Sequence, residues 1–327
     1  MRGPPECPPP ASKINPSHVP LFQSETIELH FSHMPRPTGV LEEPYKRLQD
    51  LAACDLKSAA TSEQILNLAL VSLKFLKTEC TRVELISQVD NKKYFAYHRS
   101  ETPKLISRPI NDALFEADAR KISVWWKKWR GDEALEASAL AKVTYTVAMA
   151  YCAAVDLFDR NNKKAPASYF EYYVGHLFAV AIGANPTKKA TIKLAGKSIR
   201  MTMDFLFDSA AYCKVHLPVK MSTRERVVQA WAHQRILDAA HGAGTYRGIL
   251  IVFSETKLDL QTRKVVEICV PDQWLAYQSY LSSMDRIYYF DVPKRYADLS
   301  EEFPIIKLKQ LSQFFVEKGE VLRRPRA

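Results

Sequence analysis

The sequence predicts a mixed α/β fold, with a sheet covered by helices and a helical N-terminal region. Three observations carry this: a leucine-rich run free of Pro and Gly in the first third, alternating apolar strands from about residue 191, and helical stretches interleaved with those strands. Residues 1–22 hold Pro4, Pro5, Pro8, Pro9, Pro10, Pro16 and Pro20, a density that excludes helix and central strand and favours an extended arm. Residues 23–110 read as mainly helical, because Leu66, Leu68, Leu70, Leu73, Phe75 and Leu76 fall in one unbroken helical pattern over 44–87. After a break at 103–108, helices are expected over 111–128 and 132–159, the latter closed by Pro166, and again over 168–182. Gly183 turns the chain into strands over 191–194, 198–207 and 212–219, followed by a helix from 223 to about 240. A buried strand at 248–253, a strand at 265–270, a helix at 273–283 and a strand at 287–292 complete the pattern, within a core unit assigned to 111–327.

Composition bounds the function. With 327 residues and 47% hydrophobic content the chain can bury a substantial core. Its 46 Lys and Arg against 36 Asp and Glu give a net charge of +10, which favours a polyanionic partner, nucleic acid ahead of an anionic membrane surface. The six cysteines form no Cys-x-x-Cys pair, so neither a zinc site nor a disulfide framework is indicated, and free thiols fit a reducing cytoplasm. The opening residues lack the apolar core of a secretory signal, and the apolar runs at 143–155 and 172–187 are too short or too polar for a span of about 20 residues, so no membrane role is expected. No Gly-x-Ser-x-Gly, His-Glu-x-x-His or Walker sequence is present. The glycine-rich stretch 242–248 lies between a helix end and a strand, the reverse of a phosphate cradle, and reads as a helix C-cap and turn.

The chemistry concentrates around one hairpin. Alternation over 198–207 places Met201, Met203, Phe205 and Phe207 on one face and Thr202, Asp204 and Leu206 on the other. In the next strand Cys213, Val215, Leu217 and Val219 share an apolar face, opposite Lys214, His216, Pro218 and Lys220. A hairpin centred near Tyr212 sets Asp204 against Lys220. A carboxylate beside an ammonium suits metal-assisted phosphodiester hydrolysis, and a cross-strand ion pair accounts for the same juxtaposition.

The continuation, Lys220-Met221-Ser222-Thr223-Arg224-Glu225-Arg226, puts two arginines in the first turn of the expected helix, where the macrodipole favours acids. They point to an anion or a guanine edge, since arginine donates twice to guanine and glutamate accepts from cytosine, each good pair being worth about 1–3 kcal/mol of discrimination. Ser222 or Thr223 is a natural N-cap, and Ser222-x-x-Glu225 fits a capping box, which gives Glu225 a structural use.

The order of strand acid, hairpin, lysine and Arg-Glu-Arg resembles the type II restriction endonucleases of the EcoRII, SsoII and NgoMIV group, in the PD-(D/E)xK nuclease superfamily. The resemblance covers about residues 165–292 and implies a restriction-endonuclease-like α/β core with a mixed β-sheet flanked by helices. It implies a Mg2+-dependent homodimer that cuts double-stranded DNA at a palindrome with CC and GG blocks, the contiguous tripeptide favouring CCNGG over CCGG. Asp204 would be the metal-binding acid, Lys220 the catalytic lysine, and Arg224, Glu225 and Arg226 the readers of the G:C pairs. Two positions depart from the group: Pro218 stands where an acid usually precedes the lysine by two residues, and His233 stands thirteen residues after it, where this branch often has a carboxylate. Glu171, on the preceding helix, resembles an acid that related nucleases contribute from upstream and is the candidate second metal ligand, with His233 and Gln229 as helpers. A Ser168-x-x-Glu171 capping box explains Glu171 without a metal, and His233 fits an ordinary helix-face histidine.

Two further signals bear on DNA. Trp125, Trp126 and Trp129 interleave with Lys127, Lys128 and Arg130, as a surface that grips phosphates and stacks on bases would, although a core role fits the tryptophans as well. The resemblance to SsoII-like nucleases, which extrude a central base pair into an aromatic pocket, makes Trp125, Trp126, Tyr94 or Tyr97 candidates to hold that base. Lys188, Lys189, Lys193, Lys197 and Arg200 form a cationic cluster ahead of the hairpin, suited either to the DNA backbone or to a solvated face. A catalytically silent DNA-binding protein would use the same surface without needing Asp204 and Lys220.

Overall fold

A computed structural model of the chain describes residues 39–223 and 227–324. The expected proline-rich arm at 1–22 and the triplet Arg224, Glu225 and Arg226 lie outside the described residues. Helices α1 (Gly39–Cys54) and α2 (Ala59–Thr78) come first, and the Ser58 hydroxyl caps α2 by accepting from the Thr61 N–H. The leucines that mark this helix are largely buried, but α2 stops at Thr78, short of the expected position 87. Short strands follow instead: β1 (Cys80–Glu84), β2 (Ile86–Ser87), β3 (Tyr94–Arg99), β4 (Thr102–Ile106) and β5 (Ile110–Asn111). Strands β1, β4 and β5 pair with β3 in a small antiparallel sheet. Elements of two to six residues carry too little periodicity to stand out in sequence.

Helices α3 (Ala119–Arg130), α4 (Ala137–Asp156) and α5 (Lys164–Ile182) form the layer over the main sheet. At 20 residues α4 is long and apolar enough to cross a membrane by length and composition, where the sequence suggested too short a run. Every residue from Val143 to Asp156 is buried, so its all-round apolar surface is that of a central core helix. Pro166 does not end a helix; it lies in the first turn of α5, where its missing N–H has no intrahelical role to lose.

The main sheet is built from β6 (Thr187–Leu194), β7 (Lys197–Phe207), β8 (Lys214–Leu217), β9 (Val219–Lys220), β10 (Tyr246–Val252), β13 (Arg286–Tyr289) and β14 (Leu308–Gln310). Helix α6 (Val227–His241) lies between β9 and β10 in the chain. Strands β11 (Thr256–Leu258) and β12 (Lys264–Glu267), helix α7 (Pro271–Ala276) and a π-helical turn (Tyr277–Leu281) precede β13, α8 (Lys294–Glu302) precedes β14, and α9 (Leu311–Val321) ends the described fold. The spatial order is β14-β13-β10-β8-β7-β6, with β9 also alongside β10. Strand β7 is antiparallel to β6 and β8, whereas β8, β9 and β13 run parallel to β10.

Alternation along β10 separates two cores. Ile249 and Ile251 join Val215, Leu217, Val219 and Tyr288 against α4, α5 and α9, while Leu250 and Val252 join Ile287 and Tyr289 against α6, α7 and α8. A sheet covered on both faces needs strands apolar on both sides, which is why 248–253 reads as a continuous apolar run.

Candidate active site

The β7–β8 ladder pairs Phe205 with Leu217, Leu206 with His216 and Phe207 with Val215. That register centres the turn on Ala211 rather than Tyr212, so Asp204 falls opposite Pro218 and Lys220 is its diagonal neighbour on the same face. The two side chains still meet, the Lys220 Nζ donating to the Asp204 Oδ2 at 2.7 Å. Pro218 separates β8 from β9 and has no N–H; the following one, on Val219, donates to the same Oδ2 at 2.8 Å. With side chains 23% and 18% exposed, the acid and the lysine are shielded yet reachable from solvent.

A bulge sets the direction of this strand. Lys189 pairs with Thr202 and Thr187 with Leu206, so a single residue of β6 spans three of β7, Met203, Asp204 and Phe205. Simple alternation groups Met203 with Phe205 and Phe207, but the bulge separates them. Met203 packs with Leu206 and Leu237 on the α6 side, while Phe205 and Phe207 pack in the core on the α5 side. Asp204 sits at the change of phase, within the electrostatic influence of both helix layers.

From the α5 layer comes Glu171. Because α5 begins at Lys164, Ser168 is an interior residue and not an N-cap, and no capping box accounts for Glu171. Burial pushes the Glu171 carboxyl above its usual range; Lys188, 3.6 Å away, opposes this, and the charge of Asp204 adds to it. One turn further along α5, Gly175 permits the approach: a Cβ there would lie 2.7 Å from the Phe205 Cζ and 2.9 Å from the Leu56 Cδ2.

The α6 layer brings His233, whose pKa is lowered, chiefly by burial, while Asp204 raises it and Lys220 lowers it further. Beside it His216 is fully buried, its Nδ1 2.9 Å from the Gln234 Oε1, and its pKa is lowered to about 4 by desolvation. Gln229 is exposed on α6. Asp204, Lys220, Glu171 and His233 are therefore electrostatically coupled, but among the described residues no three His, Cys, Asp or Glu side chains converge as a ready-made metal cage. Two carboxylates that disfavour each other's charge remain suited to a hard divalent ion, which Mg2+ usually takes from one or two carboxylates plus water and substrate phosphate. A histidine is the less suitable donor for it.

The segment leading to the arginines is anchored by a residue that the sequence did not single out. Glu255, just past β10 and 1% exposed, accepts from the Thr223 N–H at 2.8 Å, the Thr223 hydroxyl at 2.6 Å and the Tyr289 hydroxyl at 2.8 Å. Thr223 is thus tied to the sheet. The only sequence signal for Glu255 is an acid immediately after a buried strand. Among the aromatic candidates, Trp126, Tyr94 and Tyr97 belong to the core, Tyr94 with its hydroxyl 3.0 Å from Asp291, while Trp125 is half-buried.

Among solved structures, the type IIP restriction endonuclease Kpn2I matches 86% of this chain and 97% of its own, at 25% identity and a TM-score of 0.71. The chain has a restriction endonuclease fold. The restriction endonuclease PspGI, in a complex with substrate DNA, covers 62% of this chain and 92% of its own at 16% identity and a TM-score of 0.39, a likeness too slight to carry an argument. No protein-family description matches the chain, and no curated protein matches it.

Proposed function

We propose that this chain is a type II site-specific endodeoxyribonuclease that hydrolyses phosphodiester bonds in double-stranded DNA in the bacterial cytoplasm. The observation that carries the reading is the half-shielded Asp204–Lys220 pair, 2.7 Å apart at the bulged strand of a restriction endonuclease fold. Kpn2I, similar over most of its length, is a type IIP restriction endonuclease. In this reading Asp204 and Glu171 hold Mg2+, and the bound ion supplies charge stabilisation for the phosphoryl oxygens. Lys220 lies beside Asp204, where its side chain orients the attacking water and offsets charge on the phosphate. His233, held toward its neutral form, is available to take up a proton near Asp204.

Arg224, Glu225 and Arg226 read the G:C pairs of a palindrome with CC and GG blocks, CCNGG before CCGG, from a segment whose start Glu255 fixes. A two-fold symmetric target with one Asp–Lys site per chain asks for a homodimer. If the central base pair is extruded, Trp125 is the candidate that retains exposure.

Asp204→Ala tests the reading directly. With plasmid DNA and Mg2+ the parent protein should yield discrete fragments with CC/GG-containing ends, and the variant should lose cleavage by about a hundredfold or more while keeping specific binding in Ca2+. Retained cutting would remove Asp204 from the chemistry. A parent protein that binds specifically and never cuts would leave a DNA-binding protein in which Asp204 and Lys220 form only a cross-strand ion pair.

A further inference from the structure

The hairpin formed by β6 and β7 projects beyond the sheet, and its two faces differ. The ladder pairs Lys193 with Ser198, Thr191 with Arg200 and Lys189 with Thr202, and all six of these side chains are exposed on one face. The alternate pairs are Leu194 with Lys197, Ile192 with Ile199 and Ala190 with Met201, of which Ala190 is buried and Ile192 and Met201 are half-buried. One face thus consists only of Lys, Arg, Ser and Thr, the side chains that most often contact phosphate oxygens.

No acid occurs between Thr187 and Met203, and among the described residues Lys189, Lys193, Lys197 and Arg200 have no ion-pair partner. Lys188, by contrast, bridges to Glu171. Uncompensated cations gathered on one ribbon repel one another, an arrangement that an external anion relieves. Lysines on an edge strand also discourage pairing with other chains, but that need would be met by β6 alone. Arg200 and Lys197 lie on β7, which is already paired on both sides at its base.

We propose that this ribbon is a clamp for the phosphate backbone of duplex DNA, with Lys189, Lys193 and Arg200 as its cationic contacts and Thr191, Ser198 and Thr202 as supporting donors. The clamp rests on the nuclease reading for its partner and adds the surface that holds the duplex independently of sequence. From Lys189 to Lys193 the face runs about 13 Å, a length over which duplex DNA presents roughly eight phosphates. Strand β7 carries the contact inward, Asp204 lying four residues beyond Arg200, so a backbone gripped at the ribbon leads toward the Asp204–Lys220 pair.

The test compares two variants of equal charge change, Lys189→Gln/Lys193→Gln/Arg200→Gln and, elsewhere on the surface, Lys46→Gln/Arg47→Gln/Lys318→Gln. Binding to a short mixed-sequence duplex without CCGG or CCNGG is followed in Ca2+ from about 50 to 200 mM salt. The ribbon variant should bind at least about tenfold more weakly, with a log–log salt slope shallower by about 2 to 3, while the control changes by less than about twofold. Equal losses in both variants, with unchanged thermal unfolding, would overturn the clamp by reducing it to net charge. Loss of oligomeric mass in the ribbon variant alone would also overturn it, placing the ribbon between copies of the chain. Failure of the nuclease reading shows separately, as a parent protein that binds this duplex yet cuts no plasmid in Mg2+.

Discussion

Lys220 reaches Asp204 along a diagonal because Pro218 occupies the position directly across the ladder. Proline offers the carboxylate no N–H, and the contacts pass to Val219 and Lys220, the next two residues. This pair is legible from alternation and the hairpin together, although the centre of the hairpin is off by one residue and a bulge interrupts the alternation beside Asp204. Glu255 is not, because it meets Thr223 across 32 residues of sequence and from another element. Hydrogen bonds from the Thr223 N–H, the Thr223 hydroxyl and the Tyr289 hydroxyl offset part of the cost of burying this carboxylate. Thr223→Val removes one of them while keeping the shape of the side chain. The expected result is a loss of about 1–3 kcal/mol of stability in urea unfolding. Discrimination between CCNGG-containing and mixed-sequence duplexes should fall in competition binding, with nonspecific affinity retained; unchanged discrimination would detach Thr223 and Glu255 from base reading.

At the scale of elements, strands β6, β7, β8 and β10 and helices α4 and α6 follow from patterns long enough to reveal their period. The two-residue turn at Ala195 and Gly196, both at positive φ, closes the ribbon in the manner of a type I′ hairpin, although Ala195 is an unusual occupant of that conformation. The start of α5 is less legible, because Pro166 looks like a terminator while the structure uses it in a first turn. That shift of four residues converts Glu171 from a cap into an interior residue facing the β7 site. Gly175 sets the spacing between α5 and β7, and Gly175→Ala tests it. Overpacking against Phe205 and Leu56 should cost about 1–3 kcal/mol in thermal unfolding. By lifting Glu171 away from Asp204, it should also slow single-turnover cleavage more than it weakens DNA binding. A variant that is destabilised but cuts at the parental rate would show that Glu171 is not needed close to Asp204.

For the whole molecule, burial on both faces of the sheet explains why apolar runs in sequence identify the core without assigning each run to a layer. Helix α8, strand β14 and helix α9 lie beyond the last element that the pattern marks; β14 has three residues, and α8 buries only Tyr296 and Leu299. The same packing confines two neutral histidines, His176 and His216, each with its pKa lowered to about 4 by desolvation. Unfolding lets both return to a value near 6.5, so the unfolded chain binds more protons between about pH 6.5 and 4, and stability falls as pH falls through that window. The loss is about 1.4 kcal/mol per histidine per pH unit where both differ fully in protonation. Glu171, shifted upward, opposes this by one proton at most, while His233, whose pKa is also lowered, adds to the decline. Urea unfolding across the window should show the decline, and His176→Asn should flatten it by one proton; a pH-independent midpoint would contradict the buried neutral state. The bulge in β7 adds a constraint of a different kind, because it fixes the rotational phase between the ribbon and Asp204. Side chains alternate with a period of two, so the loss or gain of one residue between Arg200 and Asp204 would turn the Lys/Arg/Ser/Thr face to the opposite side. Grip and chemistry are indexed to each other by residue count, and length changes in this stretch should be tolerated in twos far better than singly.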